Sequence, residues 1–214
     1  MSYKLALFDF DGTLADSAEW FIQRLNELAA EFDLRQIRPE DQEMLRGYSS
    51  EQVIKYLGLP KWKLPLWVKR MREAAGNDHG AIKLFPGVPE MFAGLAQCGV
   101  QVGIVSSNSE ENIRRILGRH TERVRYFSCG ASLFGKAAKL RRVLKLSKTA
   151  ASDAIYIGDE IRDATAARAA GMAFGAVSWG FASVEALRGN KPEVEFTTLG
   201  EIVRLVGSPS TTAG

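Results

Sequence analysis

Apolar positions along this 214-residue chain follow two alternating patterns. Near-continuous apolar runs of strand length occupy 4–10, 100–105, 154–157 and 173–177, with weaker ones at 124–128 and 194–196. Between them, 88–98, 110–117, 136–145, 161–170 and 199–206 carry apolar residues at helical spacing. Strands buried on both faces read as continuous runs, and regular strand–helix alternation brings successive strands parallel. The pattern predicts an α/β protein built on a doubly wound parallel sheet.

One region breaks the rhythm. From Asp16 to about Lys83 the pattern is helical only, with Trp20, Leu25, Leu28 and Phe32 predicting a long helix. Shorter helices are predicted at 41–45, 51–56 and 66–75, punctuated by Gly47, Gly58 and Pro60. The expected organisation is therefore a core from 1–15 and 84–207, an inserted all-helical domain at 16–83, and a flexible tail at 208–214.

Composition narrows the class without naming it. Hydrophobic residues at 46% and charged residues at 25% are those of an ordinary globular protein. No apolar run reaches a membrane-spanning length, and no secretory leader pattern opens the chain, so a cytoplasmic protein without a membrane partner is expected. The net charge of +3 is too small to predict nucleic-acid binding. Arg123 to Ser152 holds basic residues and no acidic ones, which predicts a solvated helix face, Lys136 set apart. Cys98 and Cys129 fit no metal or redox spacing and are expected to be reduced thiols. His79 and His120 stand alone, as surface histidines do. Trp62 and Trp67 are expected to pack within the helical insert. Oligomeric state is not legible.

In open α/β sheets ligands bind beyond the carboxyl ends of the strands. The residues there are Asp9, Asp11, Gly12, Thr13 and Asp16 after the first run, then Ser106, Ser107 and Asn108. Gly158, Asp159, Glu160 and Asp163 follow a later run, and Lys136 opens a helix. Carboxylates crowded at one rim cannot all stay ionised without a counter-charge. Oxygen ligands without nitrogen point to Mg²⁺, and Mg²⁺ with Lys136 would offset a phosphoryl group. Asp9 would then attack phosphorus, while Asp11 serves the leaving oxygen as acid and water as base. Gly12 permits the turn that points main-chain N–H groups at phosphate.

The run Asp9-Phe10-Asp11-Gly12-Thr13-Leu14-Ala15-Asp16-Ser17 resembles the DxDGTLxDS signature of the haloacid dehalogenase (HAD) superfamily. Ser106, Lys136 and the Gly158–Asp163 stretch resemble its second, third and fourth motifs, in family order. The insert resembles the C1 helical cap, and the chain is most similar to the phosphoglycolate phosphatase-like group. That resemblance implies a HAD-like Rossmannoid core and a Mg²⁺-dependent phosphatase acting on a small phosphorylated metabolite. Asp9 would be the nucleophile and Asp11 the general acid/base. Asp9, the Asp11 main-chain carbonyl and Asp159 would hold the metal, supported by Asp163. Ser106 and Lys136 would hold phosphoryl oxygens, with Gly12, Ser107 and Asn108 alongside.

Two departures from the family pattern matter. Lys136 lacks a following proline, which leaves Lys139 as an alternative lysine. Glu160 stands where a small residue is frequent, and it either joins Asp163 in supporting the ligands or points away. In the insert, Leu45-Arg46-Gly47-Tyr48-Ser49-Ser50 resembles a loop that enters the site, which makes Arg46 and Gly47 candidates for substrate choice. A β-phosphoglucomutase-like phosphotransferase and a catalytically silent HAD-fold binding protein are the alternatives. The first is disfavoured by Ser50, where mutases commonly carry a basic residue. A P-loop at Gly130–Ala137 lacks the metal-binding hydroxyl.

Overall fold

The computed structural model describes residues 3–78, 80–130 and 135–207. The chain begins with β1 (Leu5–Phe8), then enters β2 (Ala15–Asp16), α1 (Ala18–Glu31), α2 (Gln42–Arg46), α3 (Ser50–Leu57) and α4 (Leu64–Asn77). It returns through β3 (Lys83–Leu84) to α5 (Val88–Gln97), β4 (Gln101–Val105), α6 (Glu110–Leu117) and β5 (Tyr126–Ser128). The last third is α7 (Lys136–Ser147), β6 (Ala154–Gly158), α8 (Ile161–Ala169), β7 (Ala173–Val177), α9 (Val184–Arg188), β8 (Val194–Phe196) and α10 (Leu199–Val206).

Six strands form one parallel sheet in the order β5-β4-β1-β6-β7-β8. β1 is central because it buries all four residues, Leu-Ala-Leu-Phe, and so leaves neither face for water. Its period of two splits the core. Ala6 and Phe8 face one cluster with Met91, Phe92, Ile202 and Val206 from α5 and α10. Leu5 and Leu7 face the other with Leu140, Val143, Ala164 and Ala167 from α7 and α8. Phe8 meets Phe92 edge-on at 6.2 Å, a favourable aromatic geometry. The chain adds β4 and β5 on one side of β1 before crossing to β6, so the reversal of strand order opens a crevice beyond the end of β1.

The four helices between β2 and β3 bury their own apolar cluster. Leu25, Leu28 and Ala29, at helical spacing on α1, meet Ile37, Leu45, Leu57, Trp67 and Met71. α3 starts with a Ser49–Gln52 capping box and stops at Gly58, whose φ of 72° suits a glycine. Trp67 packs on Phe32 at 5.7 Å. Trp62 does not share that role: it is exposed on the short turn before α4.

Three features differ from the sequence reading. β2 and β3 form a two-residue antiparallel ribbon, Ala15↔Leu84 and Asp16↔Lys83, where the chain leaves and re-enters the core, and two residues are too few to show a period. α9 is five residues long, held at its start by the Ser183 hydroxyl accepting from the Ala186 N–H, and is equally hard to see. The basic face of α7 is only partly solvated. Lys139 Nζ donates to the Ser106 carbonyl at 2.9 Å and the Gly130 carbonyl at 2.5 Å, and Arg141 reaches the Ala169 carbonyl. His79 and the tail at 208–214 lie outside the described residues, and His120 is half-buried in the turn after α6. Among the described residues no helix is long and apolar enough to cross a membrane.

Candidate active site

The turn after β1 is built from backbone bonds. The N–H groups of Leu14 and Ala15 both reach the Phe10 carbonyl at 2.9 Å, and the Asp9 N–H reaches the Ile157 carbonyl. Asp9 is thereby fixed at the end of the central strand, 2% exposed. Gly12 sits at φ 75°, and a Cβ there would stand 2.3 Å from Asp159 Oδ2 and 2.6 Å from the Phe181 ring. Both conformation and space therefore require glycine at this position.

Asp9, Asp159 and Asp163, all buried, bring one carboxylate oxygen each within 4.8 Å of one another. Lys136, the first residue of α7, places Nζ 2.7 Å from Asp9 Oδ2 and 2.5 Å from Asp163 Oδ1. The Asp163 Oδ2 atom accepts the N–H groups of Glu160 and Asp159 at the start of α8. Tyr156 donates its hydroxyl to the Val105 carbonyl at 3.0 Å and stands 3.4 Å from Asp163 Oδ1. Asp159 is held by Thr13 Oγ1 at 2.6 Å and by the Phe181 N–H at 2.8 Å.

The charges do not balance. Three buried carboxylates face one ammonium. Burial, then the charges of Glu160, Asp163 and Asp9, push Asp159 well above the ordinary carboxylate range. Asp163 rises to about 6 through burial, against the pull of Lys136. Burial drags Lys136 down, but Asp163 and Asp9 outweigh it and leave it raised. Oxygen donors carrying uncompensated negative charge are what a hard divalent cation binds, so the donor set fits one.

Asp11 lies two residues on, raised to about 6 by burial and by Asp9, against the hydrogen bond from Asn108 Nδ2 at 3.0 Å. Asn108 is braced in turn by Asn112, and its N–H bonds the buried Ser106 hydroxyl at 3.1 Å. Asp9, Asp11, Ser107 and Asn108 line a cavity of about 770 Å³ between the sheet and the inserted helices. Ser106, Lys136 and Asp159 are buried beneath that wall.

Of the other sequence candidates, Arg46 lines the cavity and reaches across to the core. Its Nη2 approaches the Gly180 carbonyl at 3.4 Å, and its carbonyl accepts the Ser183 N–H at 2.8 Å. Gly47 caps α2 and is not on the cavity wall. Glu160 turns away from the three-aspartate group. Its carboxylate accepts Ser50 Oγ from α3 at 3.1 Å and pairs with Arg162. Lys136, not Lys139, stands among the carboxylates.

Sequence reasoning missed Tyr156, Arg162 and the Gly180-Phe181 turn, and it placed Thr13 at the rim without linking it to Asp159. The turn follows β7, so the strand-end rule reaches it once applied to every run. Gly180 lets Asp159 approach, because a Cβ there would lie 2.0 Å from the Asp159 Cβ. Phe181 also meets Phe21 of α1 at 5.5 Å.

The profile of the haloacid dehalogenase-like hydrolase family matches residues 6–177. The phosphoglycolate phosphatase of Synechococcus elongatus is 32% identical over 202 residues, covering 94% of this chain and 95% of that protein. A solved chain from Lactobacillus plantarum superposes with a TM-score of 0.83 at 22% identity, covering 96% and 100% of the two chains. A haloacid dehalogenase-like family hydrolase from Streptococcus pneumoniae gives 0.78 at 20% identity, covering 95% and 98%. At those identities the two structures establish the shared fold. Four acidic and basic side chains meeting at the strand ends, on a matched stretch that covers most of the sequence, place the chain in the haloacid dehalogenase-like hydrolase family, as a phosphatase enzyme.

Proposed function

We propose that this phosphatase hydrolyses a small phosphomonoester of the phosphoglycolate kind through an aspartyl-phosphate on Asp9, with Mg²⁺ as its metal. The observation that carries the reading is the pairing of two different carboxyls on one turn. Asp9 is anchored to Lys136 at 2.7 Å, and Asp11 is raised to about 6. One suits attack and the other suits proton transfer near neutrality.

In the first step an Asp9 oxygen forms a bond to phosphorus as the bond to the leaving oxygen breaks. Protonated Asp11 supplies the proton to that oxygen and becomes a carboxylate. In the second step Asp11 takes a proton from water, whose oxygen attacks phosphorus and releases Asp9 and inorganic phosphate. Lys136 stabilises charge on the phosphoryl oxygens, with Ser106, Ser107, Asn108 and the Gly12 turn contributing donors. Asp9, Asp159 and the Asp11 carbonyl would hold the metal, with Asp163 supporting them. Bound there, it supplies positive charge to the substrate phosphate. The inserted helices at 16–83 act as a cap that excludes bulk water from the intermediate.

The mutase alternative draws no support from Ser50, which is engaged with Glu160 and offers no cation. The test is phosphate release from a panel containing phosphoglycolate, sugar phosphates, nucleotides and pyrophosphate, with Mg²⁺ and with EDTA. Metal-dependent release that Asp9→Asn abolishes is the expected result. Comparable turnover by a folded Asp9→Asn protein overturns the mechanism.

A further inference from the structure

The cations on the cavity wall differ in one respect. Arg46 faces Glu43 at 3.6 Å, Lys61 faces Glu51 at 3.6 Å, Lys69 faces Glu73 at 3.7 Å, and Arg162 pairs with Glu160. Arg72 lines the same cavity and, among the described residues, has no carboxylate partner. It is half-buried on α4, and desolvation alone lowers its guanidinium.

Its direction is set by the helix. Residues three and four apart share a helix face, so Arg72 shares one with Ala75 and Gly76. Arg115 of α6 grips that face, donating to the Ala75 carbonyl at 2.7 Å and the Gly76 carbonyl at 2.5 Å. A Cβ on Gly76 would lie 3.7 Å from Asn112 Oδ1, and Asn112 bonds Asn108, which bonds Asp11. Across the gap, the Arg72 charge helps to lower the Lys139 ammonium, whose Nζ sits on the Ser106 carbonyl. Arg72 thus stands on the wall of the cavity that Asp11 also lines, within electrostatic reach of Lys139, which braces the Ser106 carbonyl.

We propose that Arg72 is a specificity-determining residue that binds a second anionic group on the substrate's leaving group, a carboxylate or a second phosphoryl. The inference rests on the phosphomonoesterase reading and adds the half of the substrate that the aspartates do not touch. Val68, Met71 and Ala75 line the same cavity beside Arg72, so part of the surroundings of its charge is apolar. A guanidinium presents the fork that carboxylates and phosphoryl groups accept in a bidentate manner.

The test separates binding from turnover. In Mg²⁺, calorimetry compares 3-phosphonopropionate with propylphosphonate, which replaces the carboxylate by methyl, and with propane-1,3-bisphosphonate. The expected result is at least tenfold tighter binding of one or both dianion-plus-anion ligands, the fold-change of a charge-assisted hydrogen bond. The better of the two identifies the second group as carboxylate or phosphoryl. Arg72→Gln should erase the ratio and Arg72→Lys should restore part of it, with melting curves confirming that each variant is folded. Equal binding of all three ligands by the wild type, binding of none, or a ratio unchanged in Arg72→Gln overturns the proposal. Turnover of phosphoglycolate and ethyl phosphate is read separately. If the wild type hydrolyses neither but keeps the binding ratio, the hydrolase reading fails and the Arg72 assignment stands.

Discussion

Thr13 and Asp159, 146 residues apart in sequence, share a 2.6 Å hydrogen bond at the meeting point of β1 and β6. Thr13 is fully buried, and so is Asp159. The bond fixes the carboxylate from the side opposite the Phe181 N–H, which leaves its orientation with little freedom. Thr13→Val keeps the shape and removes the donor. The expected outcome is a loss of about 1–3 kcal/mol in stability and an affinity for Mg²⁺ weaker by about 10–100-fold. Metal titration of activity together with a thermal melt checks both, and an unchanged metal titration would count against Asp159 as a ligand.

Lys136 is the ammonium facing both Asp9 and Asp163. Lys136→Met leaves two buried carboxylates without that counter-charge. In EDTA at neutral pH the variant should lose about 3–5 kcal/mol, as buried pairs do when one partner is removed. Mg²⁺ should return part of that stability, and acidification to about pH 4 should shrink the deficit as Asp163, already raised to about 6, protonates. Differential scanning calorimetry in EDTA and in Mg²⁺ reads it. A melting temperature equal to wild type in EDTA would show that the ammonium does not balance this site.

Asp11 has its acidity weakened on folding, from an ordinary carboxyl to about 6, by burial and by Asp9. A raised carboxyl favours the folded state only while protonated. Its contribution is fully present below about pH 3.9 and is lost as pH rises through about 6. Asp11→Asn keeps an acceptor for Asn108 and cannot ionise. In EDTA at pH 7–8 it should therefore melt higher than wild type, by on the order of 1 kcal/mol or about 2–4 °C, since the group opens onto the cavity. The gain should vanish near pH 4, while turnover is severely slowed at every pH. A gain that grows as pH falls would reverse the sign of the argument.

Cys129 is half-buried, and its thiol is pushed up to about 11 by burial and then by Glu110. The thiolate is the reactive form, so at pH 8 alkylation should run on the order of 10²-fold slower than for an ordinary thiol. Cys98 is exposed and should react first. Mass spectrometry after timed iodoacetamide treatment distinguishes single from double modification, and equal rates at the two positions would contradict the burial of Cys129.

The parts of this candidate site legible in the sequence are the titratable residues that the fold gathers at one place. Asp9, Asp11, Asp159 and Asp163 are titratable and lie at or just beyond the ends of apolar runs, where the topology of an open sheet collects them, and Lys136 opens the helix that brings it to them. What the sequence hid acts through geometry. Gly180 contributes by lacking a side chain, Phe181 by a backbone N–H, and Thr13 by a hydroxyl that chain spacing does not link to Asp159. Glu160 has its composition in common with the site but not its direction, because Ser50 and Arg162 draw it to the inserted helices. Trp62 and Trp67 are five positions apart, and only the packing of Phe32 on α1 tells the buried one from the exposed one.

The ribbon of β2 and β3 has a consequence for how this protein can be altered. Its two rungs, Ala15↔Leu84 and Asp16↔Lys83, with the Phe85 N–H on the Leu14 carbonyl, hold departing and returning strands side by side. Neither strand belongs to the six-stranded sheet. A tight turn grafted between Asp16 and Lys83 would leave every rung of that sheet in register, and a foreign helical unit could be spliced at the same seam. The ribbon is a socket: it would let the inserted helices be exchanged as one cassette while the aspartates beyond β1 and β6 keep their places.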